Sequence, residues 1–150
     1  MIEIIPYSDK YHSDFKRLNL EWLQKYNLLE PYDIEILDDP QGMIIQEGGC
    51  IFLACDGDKI IGTAGLLKDN ATEFELVKMS VDPQYRGKGI SKILMDHCLI
   101  EAKKLNARKL FLFSNTQLQT ALKLYQKYGF QNVEVSGTSY HTADVKMELH

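Results

Sequence analysis

The sequence predicts an α/β fold: a mixed sheet flanked by helices, with elements in the order β-α-α-β-β-β-α-β-α-β-β. Three features point there. The β-rich runs 51–54, 60–67 and 73–81 follow one another across short polar turns, the mark of an antiparallel meander. A helical repeat then separates the third run from the short apolar run 110–113, and a strand–helix–strand crossover pairs its two strands in parallel. Two alternating runs, 131–135 and 145–149, close the chain as antiparallel partners across the polar stretch 136–142.

Each element has a local reason. Residues 2–5 form an opening strand stopped by Pro6, and Ser8 or Asp9 caps an amphipathic run to about Tyr26. Residues 31–37 form a second, short helix, ended by Asp38, Asp39 and Pro40. Gly48 and Gly49 break the chain before the meander. Asp56-Gly57-Asp58 makes the first hairpin turn and Asp69-Asn70 the second. From about residue 87 to 105, Ile90, Ile93, Leu94, Cys98, Ala102 and Leu105 recur at helical spacing, so that face covers the sheet, and Asn106 stops the helix. Leu118, Ala121, Leu122, Tyr125 and Tyr128 define the last helix, ended by Gly129.

Composition narrows the function classes. With 150 residues and 45% hydrophobic content, the chain suits one domain, residues 1–150, with a full core. A net charge of −4 and the absence of long basic runs argue against non-specific nucleic-acid binding. No apolar stretch reaches membrane-spanning length and no secretion signal opens the chain, so a cytoplasmic protein is expected. Cys50, Cys55 and Cys98 have neither zinc spacing nor an even count; they read as apolar fillers, and no metal site is expected.

The most informative segment is residues 77–91, where a strand breaks at Asp82-Pro83 and a basic, glycine-bearing turn opens a helix. Such a turn holds phosphate: Gly87 and Gly89 allow close backbone approach, the free N–H groups of the helix start point at the anion, and Arg86 and Lys88 add positive charge. A nucleotide P-loop needs glycines five apart followed by Lys and Ser/Thr, which is not the spacing here. The dinucleotide fingerprint wants a third glycine where Lys92 stands. What fits is Gln/Arg-x-x-Gly-x-Gly/Ala, filled by Gln84, Gly87 and Gly89.

That pattern resembles the acyl-CoA pyrophosphate loop of the GNAT acyltransferase superfamily. Residues 75–81 resemble its central strand, whose far end splays to admit the pantetheine arm. Residues 121–130, with Tyr125 and Gly129-Phe130, resemble its second signature. The resemblance spans roughly residues 50 to 135, with Ser91 departing from the usual glycine or alanine. It implies a GNAT fold and acetyl-CoA, held by Met79, Ser80 and Val81 of the strand, by Gln84, Arg86, Gly87, Lys88, Gly89, Ile90 and Ser91, and by Asn115 and Lys127. It further implies an oxyanion held by a backbone N–H near Met79 to Val81.

Acyl transfer to an amine needs a proton acceptor, because an amine with pKa near 10.4 is almost wholly protonated at pH 7. Glu75 is the candidate base, on the face that period-two alternation assigns to Glu75, Val77, Met79 and Val81; Glu73 is the fallback. Tyr125 is the candidate acid for the departing thiolate; on reference values full transfer is uphill by about 2 kcal/mol, so a strong hydrogen bond is the expected form. Trp22, Tyr26, Glu30, Tyr32 and Asp33 mark the acceptor side, and residues 30–39 hold five acidic and no basic side chains, which suits an amine. His141 lies in the last connection.

The expected function is therefore an N-acetyltransferase that moves an acetyl group from acetyl-CoA to a primary amine of a small molecule or peptide, by direct attack in a ternary complex. No cysteine sits in a motif for a covalent route. A homodimer is compatible with this; nucleic acid and membrane are not expected partners. Two alternatives stay open: a non-catalytic CoA-sensing module, and a nucleotide-binding protein that shares the loop.

Overall fold

In the computed structural model, which describes residues 1–150, the β-rich runs pair into one seven-stranded sheet. Strands β1 (Ile2–Pro6), β2 (Cys50–Asp56), β3 (Lys59–Asn70) and β4 (Glu73–Val81) pair antiparallel in succession. Strand β5 (Lys109–Ser114) joins β4 in parallel, and β7 (Val145–Leu149) lies between β5 and β6 (Gln131–Val133), antiparallel to both. Helices α1 (His12–Lys25), α2 (Pro31–Asp38), α3 (Ile90–Lys104) and α4 (Gln119–Lys127) fall where periodicity put them. The mixed sheet and the order of elements are those expected.

Two apolar cores lie on the two faces of this sheet. Ile90, Leu94, Met95, Cys98 and Ala102 of α3 and Tyr125 of α4 pack against Ala54, Ile61, Phe74, Leu76, Leu112 and Met147. On the other face Phe15, Leu18 and Leu23 of α1 and Ile36 and Leu37 of α2 pack against Ile51, Leu53, Ile60 and Val77. Each fully buried side chain of this size contributes about 1.5–3 kcal/mol, so Leu94→Ala alone would remove a large part of ordinary domain stability. Ile93 departs from the expected stripe, at 38% exposed, while Met95 is buried. Successive i+4 steps from Ile90 advance the stripe by about 40° each, toward Met95 and away from Ile93. A π-helical turn, Gln41–Ile45, which no local pattern announced, buries Ile44 on the α2 side.

The alternation expected along β4 holds only as far as Val77. The register runs Gly65 opposite Val77 and then Thr63 opposite Ser80, so Lys78 and Met79 together oppose Ala64 in a β-bulge. Lys78 sits in the left-handed region, φ 52°, which costs a non-glycine residue roughly 1–2 kcal/mol. Two contacts offset that: the Thr63 hydroxyl donates to the Lys78 carbonyl at 2.7 Å, and the Lys78 ammonium pairs with Asp33 of α2. Val77 consequently packs with α1 and α2, while Met79 and Val81 pack with α3, on the opposite face. Parallel pairing of β4 with β5 covers only Glu73–Glu75 against Lys109–Phe111, and beyond it the two strands part.

Candidate active site

The phosphate turn is preorganised by its own side chains. Asp82 accepts the Gln84 N–H at 2.9 Å, closing the short 3-10 turn Pro83–Tyr85, and the Tyr85 hydroxyl donates to Asp56 at 2.8 Å. Gly87 and Gly89 have φ near 77° and 78°, and a Cβ at either would meet nothing within 4 Å, so the turn is strained for other residues yet open to an incoming group. Gly89 is the N-cap of α3 and offers no side chain to its first amides. Those N–H groups and the helix dipole therefore face outward beside Arg86, a site suited to an anion.

From this turn a cleft of about 660 Å³ runs between the parted ends of β4 and β5. Met79, Ser80, Val81, Arg86, Gly87, Gly89, Ile90 and Ser91 line it on one side, and Asn115, Tyr125 and Lys127 on the other. Gln84 and Lys88 do not; both are exposed, and the Lys88 ammonium stands 5.2 Å from the Tyr85 ring centre. The Asn115 amide is engaged locally, donating to Thr142 O at 2.8 Å and accepting the Gln117 N–H at 3.0 Å. Tyr125 packs edge-on against Phe130, with burial pushing its phenol up to about 12. Its hydroxyl has no protein hydrogen-bond partner and opens into the cleft.

Glu75 and Glu73 stand two positions apart in very different surroundings. Glu73 is held by Lys109 at 2.7 Å and by Asn70 at 3.1 Å, which keep its carboxyl below the ordinary range, and it lines no part of the cleft. Glu75 is 8% exposed and makes no hydrogen bond or ion pair. Burial drives its pKa up to about 7 against the pull of Lys78, with Asp69 adding to the rise. Glu73, the fallback candidate, is thus engaged by two partners, whereas Glu75 is unpaired and its burial places its titration near neutrality.

Around Glu75 lies a buried polar frame. Lys78 and Asp33, 4% and 2% exposed, pair with each other, and the Lys78 ammonium lies 5.3 Å from the Tyr140 ring centre. Burial and the Glu75 charge push the Tyr140 phenol far above its ordinary value. Asp33 also accepts the Glu30 N–H at 2.9 Å, capping α2, whose first residue is Pro31. On α1, the fully buried Asn19 bonds Phe15 O and the Thr63 hydroxyl and accepts the Trp22 indole N–H, tying the helix to the bulge.

The residues expected on the acceptor side are separated. Trp22 and Tyr26 line the cleft, whereas Tyr32 lines a smaller cavity of about 260 Å³ beyond Glu75. Glu30 lines neither. Its carboxylate accepts the His141 N–H at 2.6 Å, the Thr142 N–H at 2.9 Å and the Thr142 hydroxyl at 2.5 Å, latching the β6–β7 connection to α2. Burial, which raises its pKa, is outweighed by these hydrogen bonds, and the carboxyl titrates below its ordinary value. Lys78, Asn19 and Tyr140, which frame this region, were not singled out from the sequence; a lysine inside a strand otherwise destined for the core was the one available signal.

No group of three or more His, Cys, Asp or Glu side chains is arranged to hold a metal ion. The "Acetyltransferase (GNAT) family" model matches residues 14–130. Among similar proteins, "Uncharacterized N-acetyltransferase YvbK" of Bacillus subtilis (strain 168) is 34% identical over 106 residues, covering 68% of each chain. The chain spans 38% and 52% of two longer curated relatives. A GNAT acetyltransferase crystal structure from Staphylococcus aureus Mu50 superimposes with TM-score 0.89 at 25% identity, over 99% of this chain and 98% of that one. The PaiA N-acetyltransferase from Thermoplasma acidophilum, crystallised with coenzyme A, shares the fold at TM-score 0.77 and 20% identity, over 99% and 98%. The chain therefore belongs to the acetyltransferase (GNAT) family.

Proposed function

We propose that this protein is an acetyl-CoA-dependent N-acetyltransferase acting on a primary amine by direct attack in a ternary complex. One observation carries the proposal: an unpaired, buried carboxylate with pKa about 7 lies where β4 and β5 part, at the end of a cleft that begins on an anion-binding helix start. A module that only bound CoA would have no use for such a group, whose burial opposes its charge.

Bound acetyl-CoA supplies the activated acyl group. The α3 amides at Gly89, Ile90 and Ser91, with Arg86, hold its diphosphate, and the parted strands take the pantetheine arm. Beyond Glu75 the edge of β4 that faces β5 has no strand partner, so backbone N–H groups near Met79 to Val81 are free to bind the acyl oxygen. Only about one amine in 2,500 is neutral at pH 7 for a pKa near 10.4, and Glu75 accepts the proton that the ammonium must lose. The Tyr125 hydroxyl donates to the departing sulfur. From about 12 to a thiol near 8.5, full proton transfer is uphill by roughly 5 kcal/mol, so Tyr125 acts by hydrogen bonding and not as a free tyrosinate. Cys50, Cys55 and Cys98 line no part of the cleft, and burial raises the thiol pKa of Cys50 and Cys98, which argues against a thioester acyl-enzyme.

Acetyl-CoA turnover against a panel of primary amines tests the roles. Glu75→Gln is expected to lower kcat/KM by about 10²–10⁴, and Tyr125→Phe to lower kcat by a smaller factor. Equal rates in both variants and the parent protein would remove both assignments.

A further inference from the structure

Glu75 lines two cavities. One is the cleft that starts at the phosphate turn; the other, of about 260 Å³, lies across β4 and β5 and is walled by Tyr32, Phe111, Phe113 and Tyr140. Every buried side-chain oxygen in the molecule has either a hydrogen-bond partner or an opening, and Glu75 has no partner. Its oxygens therefore meet whatever enters these spaces. The geometry points to the second cavity as the acceptor port, and to a primary alkyl- or aralkylamine without a carboxylate, bound as its ammonium ion, as the acceptor class; this assignment rests on the acetyltransferase reading above.

The walls of the port suit a cation with an apolar tail. Tyr32 and Tyr140 meet edge-on at 5.2 Å, Phe113 and Tyr140 are 6.3 Å apart, and Phe111 and Phe113 meet edge-on at 5.9 Å. Ring faces attract ammonium groups, and these rings already carry them: Lys78 lies over Tyr140 at 5.3 Å, and Lys146 over Phe111 and Phe113 at 5.4 Å. At the rim stand Glu47, Lys68 and Asp69, so that with Glu75 the lining carries three carboxylates and one ammonium. Lys78 is neutralised by Asp33. No guanidinium lines the port, and the two ammonium groups over its rings are already paired, Lys78 with Asp33 and Lys146 with Glu148 at 4.0 Å, so an α-carboxylate beside the reacting amine would face Glu75 with no unpaired buried cation to receive it. At ~30 Å³ per water the cavity equals roughly nine water volumes, room for an amine of about nine heavy atoms.

The transfer balances in this arrangement. The ammonium gives one proton to Glu75, the nitrogen–acyl carbon bond forms as the carbon–sulfur bond breaks, and the second proton passes from nitrogen to the thiol product.

The test compares 2-phenylethylamine with L-phenylalanine, which differ by the carboxylate alone, as acceptors for the acetyl-CoA-loaded protein. Calorimetry of acetyl-CoA and of each amine with the CoA-bound protein runs alongside. The expected preference for 2-phenylethylamine in kcat/KM is on the order of 10²-fold, the scale of a like-charge juxtaposition. Ser139→Trp, an exposed position lining only the second cavity, is expected to raise the amine KM about tenfold with acetyl-CoA affinity unchanged. Asp69→Lys, also exposed, is expected to raise it in a salt-dependent way. Bound acetyl-CoA with equal or better use of phenylalanine, or an unchanged amine KM in both variants, overturns the port and leaves acetyl transfer standing. Failure to bind acetyl-CoA at all overturns both.

Discussion

Replacing Glu75 with Gln is expected to stabilise the protein, and only above the ordinary carboxylate range. The folded protein holds this proton with a pKa of about 7 against an ordinary 4.5, so Glu75 is protonated in both states and costs nothing well below pH 4.5, and progressively opposes folding as pH rises through 4.5 to 7. The groups facing it are Lys78 on its own strand, Asp69 of β3, Lys146 of β7, Tyr32 of α2 and Tyr140 of the last connection. The distance from 4.5 to about 7, at ~1.36 kcal/mol per pH unit, corresponds to about 3 kcal/mol at pH 8, and under about 0.5 kcal/mol remains at pH 4.5. For a chain of this length that is a rise in Tm of roughly 6–12 °C at pH 8. Urea unfolding of parent and variant across pH 4.5 to 8.5 isolates the residue, because every other titrating group cancels in the difference. A difference that stays flat across that range, or that favours the parent at pH 8, would refute the strained, ionised carboxylate.

Lys78→Met leaves Asp33 buried without its cation and is expected to cost about 3–5 kcal/mol, with most of it recovered when Asp33→Asn is added, since Asn keeps an acceptor for the Glu30 N–H; chemical denaturation of both variants checks the coupling. The acid limb of the Lys78→Met pH profile should also move upward, because the group that pulls the Glu75 pKa down is gone. Gly87→Asp puts a negative charge into the anion turn; its Cβ meets nothing, but its left-handed φ of 77° costs about 1–2 kcal/mol, so calorimetry should show loss of acetyl-CoA affinity while Tm falls by only about 2–8 °C and the protein stays folded. Glu30→Ala removes the acceptor of three hydrogen bonds, and amide exchange at His141 and Thr142 should speed up by orders of magnitude while β2 and β3 are unaffected.

What could be read from the chain was what neighbouring residues decide. The strands, the Asp56–Lys59 hairpin, the left-handed stop at Asn106 and the glycines of the phosphate turn all follow from periodicity or backbone freedom within a few positions. The bulge at Lys78 was not legible, because a lysine enters the left-handed region only when distant partners, Thr63 and Asp33, hold it there. That displacement sends Met79 and Val81 to the opposite face from Val77, which strict alternation could not anticipate. Nor could Glu30 be told from a substrate ligand: its partners lie 111 and 112 positions away. Glu73 and Glu75 share a strand parity, and only the sheet end occupied by Lys109 separates a surface ion pair from a buried, unpaired carboxylate.

The most direct test of the central assignment is the pH dependence of kcat/KM for acetyl transfer, in the parent protein and in Glu75→Gln. The parent is expected to lose activity on an acid limb inflecting near pH 7, where its carboxylate takes up a proton, while the variant should lack that inflection and rise steadily with the neutral fraction of the amine. Superimposable profiles would contradict the role given to Glu75.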